Sequence, residues 1–189
     1  MLAMATVCIG ASAATRTGCR SPSCTAGRAP AALPLTADLE RLRIDRGVDR
    51  WLLFGGSWGS TLALAYGQAH PGACLGFVLR GVFAGTNAEI DWFMNGMGQF
   101  FPEAADAFRR PIPPPERADL LAAYCRRLMD PDPVVHVPVA RSWATYESNC
   151  AALRARGNDA RLGSDRFAVS VARLEAHYFR HSCFLEPNQ

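Results

Sequence analysis

The chain has 189 residues, about half of them apolar, and a formal net charge of +3. This length suits one sizeable core with room for a small appended unit, the composition excludes a disordered chain, and the charge is too small to argue for a nucleic-acid partner. All 20 basic residues are arginine, which excludes chemistry through a catalytic or Schiff-base lysine, and no apolar run approaches the roughly 18 residues of a membrane-spanning helix.

Residues 1–34 differ from the rest. They contain Arg16, Arg20 and Arg28, no acid, and many Ala, Ser, Thr, Gly and Pro, without hydrophobic periodicity. Three readings stand: an organelle transit peptide, a secretory signal (disfavoured, because no positive charge precedes the apolar start), or a segment foreign to the domain through a misplaced start or a frameshift. The segment is expected to be disordered or non-native. Thr36 to Arg46 reads as a helix, with Thr36 as cap, Asp38 and Glu40 in the first turn, Leu39 and Leu42 on one face, and Gly47 ending it. Trp51–Phe54 reads as a buried strand, Ser57–Ala69 as a helix stopped by His70-Pro71-Gly72, and Gly76–Phe83 as a second strand. Helix, strand, helix, strand is a parallel α/β pattern.

Beyond Phe83 helical signals dominate. Helices are expected over Ala88–Met97, Pro102–Arg110 and Glu116–Met129, the last with Leu120, Leu121, Tyr124, Cys125 and Leu128 on one face. A turn is expected at Asp130-Pro131-Asp132-Pro133. Two more apolar stripes follow, Val139, Trp143, Tyr146, Cys150 and Leu153, then Phe167, Val171, Leu174 and Tyr178. A block of helices after a sheet suggests a lid over an active site. The seven cysteines are scattered without a C-x-x-C pair, and there are four histidines. A zinc site is therefore disfavoured, and the thiols read as reduced in a reducing, cytoplasmic compartment.

The strand Trp51–Phe54 runs directly into Gly55-Gly56-Ser57-Trp58-Gly59 and then a helix of small residues. This is the strand–turn–helix context in which G-x-S-x-G forms the nucleophile elbow of α/β-hydrolases. Gly55 and Gly59 tolerate the close strand–helix approach, Ser57 projects from the turn, and the Trp58 N–H lies at a helix N-terminus, where half of an oxyanion hole is expected. A serine hydroxyl needs a histidine to take its proton and a carboxylate to orient that histidine. His70, His136, His177 and His181 all fall in helical or turn segments, none after a strand-end Asp, and each reads as a surface or packing residue. No glycine-rich oxyanion loop stands upstream.

Gly55-Gly56-Ser57-Trp58-Gly59-Ser60-Thr61-Leu62-Ala63-Leu64-Ala65-Tyr66, His70-Pro71 and Val78-Leu79-Arg80-Gly81-Val82-Phe83 resemble the prolyl aminopeptidase (proline iminopeptidase) family of α/β-hydrolase serine peptidases. The resemblance continues through Phe100-Phe101-Pro102-Glu103, Trp143 to Glu147, and Ala172 to Phe179, covering about residues 35–185. It implies hydrolysis of an N-terminal proline from peptides through an acyl-enzyme, without metal or cofactor. It implies Ser57 as nucleophile and the Trp58 N–H as oxyanion donor. Glu147 and Glu175 match acids that hold the free amino terminus, against the bland reading of each as a solvated helix face. Phe83 matches an aromatic against the proline ring, and Phe93 stands where another pocket aromatic, often Tyr, is expected.

The departures concern the H-G-G-P-G loop, of which there is no counterpart, and a D-Q-R-G-x-G-R-S segment, of which Thr15 to Ser21 is a damaged echo. The family's catalytic Asp and His lie downstream of the lid, so the triad's acid and base are not expected in this chain. The expectation is therefore a partial α/β-hydrolase sheet of order helix–strand–elbow–helix–strand at 35–84, followed by an all-helical lid at 85–185. Activity of the chain alone is expected to be weak or nil. The alternatives are a non-catalytic fragment or binding module that self-associates or meets a complementing partner, and another esterase or amidase of the same fold. Neither nucleic acid nor membrane is expected as a partner.

Overall fold

The computed structural model describes residues 34–151 and 164–185. The readings made of the N-terminal segment and of Leu153 lie outside these residues. The described residues fall into two compact units, 34–84 with 184–185, and 85–151 with 164–183.

In the first unit the order is helix α1 (Pro34–Asp45), strand β1 (Trp51–Ser57), helix α2 (Trp58–Ala69) and strand β2 (Cys74–Val82). The strands pair in parallel, with Leu53 opposite Phe77 and Gly55 opposite Leu79, as the alternating pattern predicts. α1 begins two residues earlier than the sequence suggests. Thr36 is not its cap but sits buried inside the first turn, and that turn holds no acid. A proline is suited to the start of a helix because the N–H it lacks would have had no partner there. The C-terminus is a Schellman turn. The Gly47 N–H reaches the Ile44 carbonyl (2.9 Å), the Val48 N–H reaches the Arg43 carbonyl (3.1 Å), and Gly47 has φ +63°.

The core of this unit is Trp51, Leu53, Ala63, Tyr66 and Ala73, with Leu39, Val48, Cys74 and Leu79 packed around it. Trp51 meets Tyr66 edge-on, with centroids 5.4 Å apart. The Tyr66 hydroxyl donates to Glu40 (2.6 Å), and Arg43 donates to both Glu40 oxygens (2.6 and 2.8 Å). Glu40, expected in a first turn, instead ties α1 to α2. The Arg43 guanidinium is the main reason its carboxyl is held down to about 2. Leu52, Phe54 and Val78 remain exposed on the sheet.

The second unit is helical. α3 (Asn87–Met94) opens with a capping box, in which Thr86 Oγ1 accepts from the Glu89 N–H (3.2 Å) and the Thr86 N–H donates to the Glu89 carboxylate (3.0 Å). It ends at Met94, short of the expected Met97, because Gly96 and Gly98 favour the tighter turn at Gly96–Gln99. α4 spans Pro102–Arg109. α5 (Leu120–Leu128) starts later than Glu116, because the preceding prolines lead into a 3-10 turn over Pro114–Asp119 and Asp119 then caps the helix at the Ala122 N–H. α6 (Pro133–Cys150) takes in Pro133 as its first residue, capped by Asp132, so the expected turn ends one residue earlier and His136 lies within the helix.

α7 (Asp165–Arg180) is capped by Ser164. Its buried stripe is Ala168, Val171, Ala172 and Ala176, while Leu174, expected inside, is 52% exposed. The alanines at every fourth position let α7 approach its neighbours closely, and a leucine stripe would hold them apart. The centre of this unit is aromatic. Phe108 stacks between Tyr124 (4.4 Å) and Tyr146 (4.3 Å), and Trp143 meets Phe93, Phe108, Tyr124 and Phe179. Among the described residues no helix is long and apolar enough to cross a membrane, and Cys74, Cys125, Cys150 and Cys183 are free thiols.

Candidate active site

Ser57 is the last residue of β1 and the N-cap of α2, with φ 53° and ψ −125°. A positive φ on a residue with a Cβ is strained by about 1–3 kcal/mol, and it persists only where the surroundings enforce it. Here they do. A Cβ on Gly55 would stand 2.2 Å from the Gly59 carbonyl oxygen, so the strand and the first turn of α2 touch backbone to backbone. The Ser60 hydroxyl donates to the Ser57 carbonyl (2.6 Å) and accepts from the Phe83 N–H (2.9 Å), while Thr61 Oγ1 donates to the Phe83 carbonyl (2.6 Å). Both hydroxyl residues are buried.

The turn and the end of β2 are thus clamped together, which brings Ser57 and Phe83 to one place. Ser57 itself is half-exposed, as are Trp58 and Phe83. Trp58 is the first residue of α2, so its N–H belongs to the helix terminus where the macrodipole favours negative charge. Ser60 and Thr61 were missed as positioning residues by sequence reasoning. Their signal was two hydroxyls in the first turn of an otherwise apolar helix, where a buried hydroxyl needs a partner.

The second group of candidate residues belongs to the helical unit. Glu147 lies on α6 and Glu175 on α7. Trp143 Nε1 donates to Glu175 Oε2 at 2.6 Å, and Glu147 is the neighbouring carboxyl that acts on Glu175. Burial, and then the neighbouring charge of Glu147, push the Glu175 carboxyl up to about 8. Glu175 is therefore not a solvated helix-face residue. Phe93, on α3, lies 5.4 Å from the Trp143 ring, 5.3 Å from Tyr146 and 5.4 Å from Phe179. The helical unit thus gathers Phe93 and Trp143 beside the half-buried carboxyl pair Glu147 and Glu175.

The histidines are placed as follows. His70 caps the C-terminal end of α2, its ring 5.0 Å from Tyr66. With Ser57 at the other end of a 12-residue helix, the two are separated by roughly 18 Å along the axis. His136 Nδ1 pairs with the Asp130 carbonyl (2.9 Å), and His181 Nδ1 with the His177 carbonyl (2.8 Å). Among the described residues no group of three or more His, Cys, Asp or Glu side chains is placed to hold a metal ion.

The family model described as alpha/beta hydrolase fold matches residues 23–169. A protein from Leptolyngbya boryana named "Probable proline iminopeptidase" is 43% identical over 154 residues, which is 80% of this chain and 48% of that protein. A "Probable proline iminopeptidase" of Streptomyces coelicolor is 44% identical over 153 residues, 80% of this chain and 47% of its own length. The Arabidopsis thaliana "Proline iminopeptidase" is 43% identical over 153 residues, 79% of this chain and 40% of its own. The chain spans about half the length, or less, of these curated relatives. With the family model matched over most of its length and a parallel β1–α2–β2 unit turning at Ser57, the chain belongs to the α/β-hydrolase fold family.

Proposed function

We propose that this chain carries the nucleophile turn and the amine-recognising helices of a prolyl aminopeptidase. The observation that carries this reading is the Ser57 turn, a strained serine backbone held between a strand and a helix terminus by Gly55, Ser60 and Thr61. Relatives at about two-fifths identity that are named proline iminopeptidase support the substrate class.

In this reading Ser57 Oγ attacks the carbonyl carbon of an N-terminal prolyl residue. The carbonyl oxygen becomes an oxyanion, toward which the Trp58 N–H donates. The C–N bond breaks, the peptide amine leaves with a proton, and the prolyl ester on Ser57 is then hydrolysed by water. Glu147 and Glu175 recognise the charged prolyl amine, because two carboxylates in a half-enclosed site match a secondary ammonium in charge and in hydrogen bonding. Phe83, fixed beside Ser57, and Phe93, within the aromatic group around Trp143, supply apolar surface for the ring. No metal or cofactor takes part in this scheme.

The proton of Ser57 needs an acceptor. Within the unit that holds Ser57, the one histidine among the described residues, His70, stands a helix length away. The chain alone is therefore proposed to turn over little or no substrate, since loss of triad members leaves only residual catalysis. The test is release of 4-nitroaniline from proline 4-nitroanilide by the purified chain and by Ser57→Ala. Equal, near-background rates support the reading. Robust release that vanishes in the variant overturns the claim of inactivity, and equally robust release by both overturns the role of Ser57.

A second reading, a non-catalytic module that binds a partner or a second copy, is favoured by the exposed Leu52, Phe54 and Val78. Size-exclusion chromatography separates the two readings, and a well-behaved monomer argues against the second.

A further inference from the structure

Trp143 is fully buried, at 0% exposure. Its ring is held on several sides by Phe93, Phe108, Tyr124 and Phe179. The ring cannot turn without displacing that group, so its one polar atom is a fixed point. That atom, Nε1, donates to Glu175 Oε2 at 2.6 Å. An indole N–H is a donor only, and it disfavours a proton on the oxygen it meets. Burial and the neighbouring Glu147 carboxyl act the other way and favour a proton held within the pair.

From α6 the charged group against Glu175 is Glu147 itself. From α5 the titratable group against α7 is Cys125, whose thiol meets the Ala176 carbonyl and lies beside Arg180 of α7. On α7, Arg173 is directed at the Leu128 and Asp130 carbonyls.

We propose that Trp143 is the positioning residue of the carboxylate pair: its N–H pins Glu175 Oε2 as an acceptor, confines the shared proton to the rest of the pair, and so readies that proton to leave when a cationic amine enters. The proposal rests on reading Glu147 and Glu175 as the amine-recognition site. The balance is simple. The empty pair carries one proton and one negative charge. On binding a secondary ammonium it gives that proton to buffer, and the resulting two negative charges face the cation with both amine hydrogens donated to carboxylate oxygens. The indole bond favours the ionised form, so it makes the release easier, in agreement with its direction of action on Glu175.

The experiment uses the full chain and pyrrolidine, the ring amine without a peptide. Calorimetry in two buffers of different ionisation enthalpy, across pH 5 to 9, reads affinity and protons released. Wild type is expected to release close to one proton per pyrrolidine at the acid end, with affinity rising about tenfold per pH unit until the pair ionises. In Trp143→Phe the midpoint of that profile is expected to move up by about one pH unit, because a hydrogen bond to the charged form has been removed. An unmoved midpoint in a folded variant overturns the proposal, since a merely structural role alters affinity at every pH alike.

A measurement on the unmutated chain stands apart from the folding of that variant. The Trp143 indole 1H–15N resonance, assigned by through-bond experiments, is expected to shift with pH in wild type and to lose that titration in Glu175→Gln, whose amide oxygen still accepts the bond. An indole signal indifferent to pH in wild type overturns the positioning role. If pyrrolidine fails to bind at any pH, the amine-recognition reading falls, and the indole titration then decides the Trp143–Glu175 coupling independently.

Discussion

A methyl group at Gly55 tests whether the Ser57 turn depends on backbone-to-backbone contact. In Gly55→Ala the new Cβ would lie 2.2 Å from the Gly59 oxygen and 2.6 Å from its carbonyl carbon, and neither is a side chain that can swing aside. Ordinary contact begins at 3.4 Å, so α2 must retreat from β1 by about 1.2 Å. The same helix turn holds Ser60 and Thr61, whose bonds to Phe83 are 2.9 and 2.6 Å long. A retreat of that size lengthens both beyond useful hydrogen-bond range. Overpacking costs about 1–3 kcal/mol and each lost bond about 1 kcal/mol, so the variant is expected to lose about 3–5 kcal/mol, a large share of the 5–15 kcal/mol typical of a domain. Urea unfolding followed by circular dichroism and tryptophan fluorescence measures it. Gly72→Ala is the control, because nothing lies within 4 Å of its Cβ, and its midpoint is expected to stay within about 0.5 kcal/mol of wild type. A Gly55→Ala chain as stable as that control would refute the reasoning about the turn.

Other expectations follow from single contacts. Thr61→Val keeps the shape but removes the donor to the Phe83 carbonyl, and a loss of about 1–2 kcal/mol in urea unfolding is expected. Glu40 is held down to about 2, mainly by Arg43, so it contributes stability that is present above the ordinary carboxylate range and lost as pH falls toward 2. Arg43→Gln is expected to flatten that acid limb, and an unchanged limb would contradict the assignment. Glu175 behaves oppositely. With its carboxyl pushed up to about 8 by burial and by Glu147, the folded state keeps a proton that the unfolded state has released, so stability is expected to decline as pH rises from about 4.5 to 8. Glu175→Gln is expected to remove that decline in thermal melts recorded at successive pH values.

Much of the fold was legible because its segments carry strong local signals. The strand of Trp51 and Leu53 alternates in burial, and the glycines beside Ser57 mark the turn that follows. The ends of helices were less legible, since Pro34 and the prolines before Asp119 shift a start by a few residues without changing the apolar period. The stripe of α7 was misjudged at Leu174 because large residues dominate a sequence pattern, whereas a close helix contact selects the small ones, Ala168, Ala172 and Ala176.

At the candidate site, the residue types and the turn were visible in the sequence, but the links that hold them were not. Ser60 and Thr61 reach Phe83 across 23 and 22 positions, and Trp143 reaches Glu175 across 32. Such bonds are set by how elements pack, and no local pattern announces them. The elevated Glu175 carboxyl follows from that packing too, because a glutamate on a helix is ordinarily solvated.

The most direct test of the account is calorimetric binding of prolinamide and of N-acetylprolinamide to the purified chain, which requires no acceptor for the Ser57 proton. The account predicts that prolinamide binds, that acetylation of its amine abolishes binding, and that Glu147→Gln with Glu175→Gln does the same. Equal binding of the two compounds, or binding that survives the double substitution, would contradict recognition of a prolyl amine by this carboxylate pair.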